Sequence, residues 1–243
     1  MKETLNKLMV DEHYYGAFGK QFLSNSDIDA LLNNPLAFQQ PKVGSEVNFL
    51  LGRYFHTMIL EPDKLGNFKE VDATTRNTKI YKDAAKDGPL LLTNEAQMLR
   101  DLKDKMMNIS IVKDLIVDID VEYEVPNIVE LFGEKWKCKA DVKNNTQALI
   151  VDVKTTSNLK DFEWSARKYN YDSQAYIYSQ AFGMDFVFAV ADKVSKQVGV
   201  FECSPSFLER GKLKVEQAVE VYQKMFKKEG FDFDNYCVSK ILK

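Results

Sequence analysis

The sequence predicts a mixed α/β fold, a central sheet with helices on both faces, and three observations carry that prediction. From Val121 onward the chain reads as three strands, a helix, two strands and a helix, an order that suits a mixed sheet covered on both sides. Helical segments precede that block and form a helical N-terminal elaboration. Lys135 to Lys143 alternates strictly, with Trp136, Cys138, Ala140 and Val142 on one side and Lys135, Lys137, Lys139, Asp141 and Lys143 on the other, the period of a half-buried strand. With 243 residues, 45% of them hydrophobic, the chain can bury a full core. A single domain over 1–243 is expected, mainly helical over 1–110, with an α/β core over 120–228 and a tail over 229–243.

Each element has its own local reason. Ser24 or Ser26 supplies an N-cap before the apolar-periodic run that ends near Asn34-Pro35, which predicts a short helix. Val47 to Leu60 has helical apolar spacing, stopped by Pro62. Pro62 to Gly88 is polar and turn-rich, a surface region and not a linker. Thr93 to Ile109 forms a helix capped by Thr93 or Asn94, with Leu99, Leu102 and Met106 as its buried stripe. Val121 to Val129 and Lys135 to Lys143 pair around Phe132-Gly133-Glu134. A third strand, Ala148 to Lys154, is followed by a long helix from Asp161 to Phe182, strands at Asp185 to Ala191 and Gln197 to Cys203, and a helix from Pro205 to Lys228.

Composition excludes several classes of function. No apolar segment approaches the roughly 18 residues of a membrane span, and the N-terminus lacks the apolar core of a signal peptide, so a cytoplasmic location is expected. Cys138, Cys203 and Cys237 are widely spaced and odd in number, which supports neither a disulfide framework nor a zinc or iron–sulfur site; buried thiols are expected. A formal charge of -3 gives no global attraction to nucleic acid, so any DNA contact must come from a local basic surface.

The chemistry concentrates in one hairpin. Closing it over Asn144-Asn145-Thr146-Gln147 sets Lys143 opposite Ala148, faces Asp141 with Ile150 and leaves Asp141 diagonal to Asp152 on one sheet face. Lys154 projects from that same face, roughly 7 Å further along the strand. A carboxylate pair suits a hard divalent cation, which takes oxygen ligands and leaves room for water and phosphate. A lysine beside it can orient an attacking water and offset charge building on phosphorus. The bland alternative is an edge hairpin with solvated charges. Against it, Asp152 interrupts the apolar run Ala148-Leu-Ile-Val-Asp-Val, and a charge in an interior strand is costly unless paired or metal-bound.

Two further groups join the hairpin. On the long helix Arg167, Tyr171, Gln174 and Tyr178 share one face, polar and aromatic where an apolar stripe is usual. Either its tyrosines pack with wet hydroxyls, or Gln174 and Tyr178 approach the carboxylates. The chain has 2 histidines. His13 has no informative context, whereas His56 follows Gly52 by one helical turn. A glycine inside a helix costs up to about 1 kcal/mol against Ala, a cost explained if something comes close to the backbone there.

Asp141…Asp152-x-Lys154, with Gln174-x-x-x-Tyr178 downstream and Gly52-x-x-x-His56 upstream, resembles the PD-(D/E)xK nucleases of the RecB and lambda exonuclease type. The Leu23-Ser24-x-Ser26…Asn34-Pro35-x-x-Phe38 segment and the Leu51 to Pro62 stretch look like the RecE-like phage or prophage branch. The resemblance covers residues 20 to 225, and it departs at Ala140, where the family name has proline. It implies a restriction-endonuclease-like fold and a DNA exonuclease of phage recombination, degrading one strand of linear duplex from its 5′ end. Such an enzyme gives 5′-phosphate products and leaves 3′ single strands for a single-strand annealing protein. It further implies Mg²⁺ or Mn²⁺ held by His56, Asp141, Asp152 and the Val153 carbonyl. Lys154 would act on the water, Gln174 and Tyr178 would support the site, and the enzyme would work as a homo-oligomeric ring on double-stranded DNA ends. Glu124 is a further acidic candidate whose facing the sequence leaves open, and Arg53, Lys160, Arg167 and Lys168 are candidate phosphate contacts. A structure-specific or sequence-specific endonuclease of the same fold, or an inactive DNA-end-binding protein, stays open as an alternative.

Overall fold

The computed structural model describes residues 2–40, 46–233 and 236–237, so part of the expected tail lies outside it. In chain order the elements are α1 (Lys2–Leu8), α2 (Asp11–Tyr15), α3 (Ile28–Asn33), α4 (Glu46–Leu60), β1 (Glu70–Val71), α5 (Lys79–Ala84), β2 (Leu91–Leu92), α6 (Thr93–Met107) and α7 (Ser110–Ile116). There follow β3 (Val121–Leu131), β4 (Glu134–Asn144), β5 (Leu149–Thr156), α8 (Phe162–Lys168), α9 (Tyr171–Phe182), β6 (Asp185–Asp192), β7 (Val198–Glu202) and α10 (Pro205–Tyr222), which a π-helical turn over Gln223–Lys227 prolongs. The main sheet runs β3-β4-β5-β6-β7. Its neighbours are antiparallel except β5 and β6, whose parallel pairing requires the α8–α9 crossover. The expected mixed sheet is therefore present, with the motif-bearing β4 and β5 in its interior.

Helices cover both faces. On one, Phe55 of α4, Leu99 and Met106 of α6 and Ile116 of α7 pack on Val142, Val151, Val153 and Ala189. On the other, Phe162 of α8 and Ala175 of α9 pack on Ala140, Ile150, Phe186 and Phe188. Beside them Trp136 and Cys138 meet Ile28 of α3 and Val215 of α10. The alternating residues of β4 are all buried, as their period requires. They do not share one layer, however: Trp136, Cys138 and Ala140 face α3, α9 and α10, whereas Val142 faces α4 and α6. The change of layer falls at Asp141, opposite which Glu124 has a left-handed φ of 51°.

Several local expectations are corrected. The β4–β5 turn lies one residue later than read, at Asn145 to Ala148, because Asn144 is fully buried and donates to the Asp114 and Leu115 carbonyls of α7. Val142 therefore opposes Val151 and Lys143 opposes Ile150, a register shift of two that brings Asp141 level with Asp152 at the end of the ladder. The single helix over 161–182 is two helices, broken at Asn170, which is left-handed (φ 58°). Asn tolerates that conformation better than most side chains, and Arg167 accordingly leaves the face that carries Gln174. The α6 cap is Leu92, whose N–H donates to Glu95, and not Thr93 or Asn94. Residues 62–88 are built into the fold through the β1–β2 pair and an Arg76–Glu95 ion pair at 2.6 Å. Of the cysteines Cys138 is buried, Cys203 half-buried and Cys237 exposed.

Packing of α10 onto α9 depends on Gly211, where an added Cβ would sit 2.0 Å from the Asp172 carbonyl oxygen. Next to it, the fully buried Asp172 carboxylate pairs with Arg210 (2.7 Å) and Lys214 (2.8 Å). Gly211→Ala is expected to cost about 1–3 kcal/mol of stability by overpacking, read as a lowered urea midpoint; an unchanged midpoint would show that α10 is not seated against the α9 backbone as described.

Candidate active site

Strands β4 and β5 pair only over Val142–Asn144 and Leu149–Val151, then separate. Asp141 lies one residue beyond the last pair and fills the opening: its Oδ2 accepts the Val153 N–H at 2.8 Å, in place of a backbone acceptor. From the α4 layer His56 reaches into the same opening. Its Nε2 lies 2.5 Å from the Val153 carbonyl oxygen and 3.3 Å from Asp141 Oδ2. Glu124 completes the group: ligand atoms of His56, Glu124 and Asp141 lie within 4.8 Å of one another. The left-handed backbone at Glu124, directly across from Asp141, is the local distortion that accompanies this approach.

Asp152, 2% exposed, is held from the opposite layer. Gln174 of α9 donates to its Oδ1 at 2.5 Å, and the Lys154 ammonium lies 2.5 Å from its Oδ2. That second oxygen makes no well-directed hydrogen bond among the described residues. Lys154 also lies 5.1 Å from the centre of the Tyr171 ring. Tyr178, one turn beyond Gln174, packs its ring edge-on against Phe186 at 5.6 Å. It lines the core behind the site and makes no hydrogen bond to the carboxylates.

Burial sets the protonation of the group. It pushes Asp141 up to about 7, with the His56 charge opposing and the Asp152 charge reinforcing the shift. Burial also raises Glu124, against the attraction of Lys139 and His56. Lys154 is pulled down by burial, but Asp152, then Tyr171 and Asp141, outweigh that and hold its ammonium above the ordinary lysine value. Burial likewise raises the Tyr178 hydroxyl.

The sequence candidates divide accordingly. Asp141, Asp152, Lys154, Gln174, His56 and the Val153 carbonyl converge, and Glu124, whose facing was open, joins them. Asp152 lies beside the His56–Glu124–Asp141 group, with Oδ1 on Gln174 and Oδ2 next to Lys154. At Gly52 an added Cβ would meet nothing within 4 Å among the described residues, so none of these groups comes close to the backbone there. Arg53, Lys160, Arg167 and Lys168 are exposed and touch none of the carboxylates. Two residues escaped the sequence reading. Tyr171 was visible on the helix face without a role, and Lys139 sits two positions before Asp141, where it pairs with Asp11 (2.5 Å) and Glu124 (3.5 Å).

The residues present fit a hard divalent cation. Buried carboxylate oxygens, an imidazole and a backbone carbonyl are hard or borderline donors, and the Asp152 Oδ2 lone pairs are incompletely satisfied. His56, Asp141 and Glu124, beside the Val153 carbonyl, would hold it.

A mixed sheet whose hairpin presents two aspartates and a lysine, met by a histidine from one layer and a glutamine from the other, defines a PD-(D/E)xK fold. A family model described as "PDDEXK-like domain of unknown function (DUF3799)" matches residues 25–237, and the chain belongs to that family. Among solved structures the chain is similar to one named "Putative exonuclease" from Eubacterium rectale, with a TM-score of 0.66 at 18% identity over 96% of each chain, a likeness of fold. A phage-related exonuclease from Haemophilus somnus 129PT gives a TM-score of 0.38 at 11% identity, over 85% of this chain and 95% of that one. No curated protein matches. No helix among the described residues is long and apolar enough to cross a membrane.

The raised Asp141 carboxyl has a consequence for stability without metal. A carboxyl whose folded value lies above its unfolded value near 3.8 contributes stability that is complete below 3.8 and lost as pH rises through about 7. In EDTA, Asp141→Asn is therefore expected to melt at a higher temperature than wild type at pH 8 and to lose that advantage near pH 4. A variant less stable than wild type at pH 8 would contradict the buried, ionised carboxylate.

Proposed function

We propose that this protein is a metal-dependent deoxyribonuclease that digests linear double-stranded DNA from its ends. The observation that carries the reading is the convergence of His56, Glu124 and Asp141 within 4.8 Å, beside an Asp152–Lys154 pair at 2.5 Å. Mg²⁺ or Mn²⁺ at that group would polarise the scissile phosphate and lower the pKa of a bound water. Every other part belongs to the chain. Gln174 fixes one oxygen of Asp152, which turns the other toward Lys154. Lys154, kept charged by its neighbours, places a positive charge where an attacking water must be oriented and where phosphate charge accumulates. His56 braces the Val153 carbonyl and Asp141 together, so the ligand geometry is set before substrate arrives. In-line attack with departure of the 3′ oxygen leaves a 5′-phosphate.

The motif set's resemblance to RecE-like and lambda exonuclease-like enzymes supports the finer reading: 5′ to 3′ degradation, a homo-oligomeric ring around the duplex, and delivery of 3′ single strands to a single-strand annealing protein. A ring explains processivity by topology and needs no strongly basic chain, in keeping with a net charge of -3.

End-labelled linear duplex and a covalently closed circle, each with Mg²⁺ or with EDTA, test the proposal. Mononucleotide release from linear DNA alone, with metal alone, is expected, and the labelled end lost first gives the polarity. Lys154→Ala should fall roughly 10²–10³-fold in rate while remaining folded, and Gln174→Ala about 10–100-fold. Cutting of the circle would reassign the protein as an endonuclease. Inertness under every metal and substrate would leave a DNA-end-binding protein. Sedimentation of the full chain as a monomer on DNA would remove the ring.

A further inference from the structure

We propose that α8 carries a stacking platform, Trp164 and Tyr169 bridged by Lys168, for an unpaired DNA strand next to the reaction centre. This deepens the nuclease reading and rests on it for the identity of the strand.

The chain has 2 tryptophans. Trp136 is wholly buried, whereas Trp164 is 62% exposed and Tyr169 is 55% exposed. The Lys168 ammonium lies 4.7 Å from the Trp164 ring centre and 5.3 Å from that of Tyr169. One cation therefore serves both rings. From Tyr169 the series continues inward: its ring centre is 6.2 Å from that of Tyr171, and Tyr171 lies 5.1 Å from Lys154, the ammonium paired with Asp152. Three rings and two cations thus form a continuous series from the surface to the carboxylates.

The inner end of this series is rigid. Tyr171 packs on Phe162 (5.9 Å) and Phe188 (5.5 Å) of the core. The left-handed Asn170 sets the angle between the two helices, and Lys214 clamps that junction by donating to the Arg167 carbonyl and to Asn170 Oδ1. The same break that removed Arg167 from the Gln174 face therefore turns α8 into a separate ledge beside the site.

The chemistry of the ledge suits single-stranded nucleic acid. Every base has a face that stacks on an aromatic ring, and a cation between rings neutralises the accompanying backbone. Inside a duplex those faces are already occupied by neighbouring base pairs, so along the strand only an unpaired base offers Trp164 a free face. Exposed Lys160, Arg167 and Lys168 outnumber Asp161 and Glu163 on this segment, giving it the sign a phosphate chain requires. Continuity with Lys154 selects a strand that already reaches the carboxylates over a protein partner.

The test uses the full chain in EDTA, with anisotropy of labelled DNA and tryptophan emission read together. The probes are a blunt duplex, duplexes with a single-stranded extension at either end, and the same extensions built from abasic nucleotides. An extension is expected to tighten binding roughly 5- to 150-fold over the blunt and abasic forms, equivalent to about 1–3 kcal/mol for one stacked base, with a change in Trp164 emission. Trp164→Ala and Tyr169→Ala should lose that gain, and Trp164→Phe should keep most of it. Equal binding of blunt, abasic and extended DNA, or an unaffected Trp164→Ala, would overturn the platform, as would self-association abolished by Trp164→Ala. Cleavage of the same DNAs with Mg²⁺ separates the two claims. Digestion without preference for an extension keeps the nuclease and removes the platform; base-dependent binding without digestion does the reverse.

Discussion

Burying negative charge is the constraint on which the rest of this structure depends. Asp141 and Asp152 lie on the interior strands β4 and β5, with Glu124 half-buried beside them on the edge strand β3, and an unpaired ion buried in such a place costs several kcal/mol. Each is assigned a positive or polar neighbour: Lys139 for Glu124, His56 and the Val153 N–H for Asp141, Lys154 and Gln174 for Asp152. The compensation is uneven. Asp152 is well paired, whereas Asp141 is pushed up to about 7 and Glu124 is raised as well. The undercompensated pair, with His56 between them, is the part of the site that a divalent cation would complete.

That electrostatic arrangement follows from a geometric one. A regular β4–β5 ladder would bury Asp141 with no access from either layer. Here the ladder stops at Val142–Val151, and the residues of β4 change layer around Asp141. His56 enters from α4 and Gln174 from α9, on opposite faces of the sheet, and they meet at adjacent residues, Val153 and Asp152. The left-handed Glu124 across from the change of layer is the kind of conformation that costs about 1–3 kcal/mol and persists where surrounding structure holds it. At α9 the surrounding structure is the Asp172–Arg210–Lys214 network and the glycine contact with α10, both within two residues of Gln174.

The strands and the helices that cover them were legible because their periods are simple. Alternation from Lys135 to Lys143 and the apolar stripe of Leu99, Leu102 and Met106 each describe one face of one element, and burial follows them. What stayed illegible involves partners distant in sequence. Asn144 looks like a turn residue until α7 supplies carbonyls for its amide, and one misplaced turn residue shifts the register by two. Asn170 fits a helical pattern on spacing alone, and only its φ reveals the break. The short α1, α2 and α7 have too few turns for a periodic signal. At Gly52 the described residues bring no group close to the backbone. Asp152 and Lys154 keep their common face whatever the register, being two residues apart on β5, whereas the approach of Asp141 depends on the change of layer in β4. Glu124 depended on a local distortion that no alternation rule describes.

Charge distribution ties the site to its surroundings. The lysines of β4 closest to the carboxylates are spent internally: Lys137 donates to the Tyr14 carbonyl, and Lys139 is held by Asp11 and Glu124 with Tyr14 and Tyr15 against it. They balance buried acid and are not free to greet a phosphate backbone. Among the described residues, Lys160, Arg167 and Lys168 are exposed along α8 and its approach, and Arg53 is exposed on α4. On the proposed nuclease reading, this run is a basic approach to Lys154 in a chain whose net charge is -3. An end of DNA can be threaded along such an approach to Lys154, whereas long-range attraction along the side of a duplex is weak. On that reading, the basic run on α8 and the inward orientation of Lys154 both favour engagement at an end.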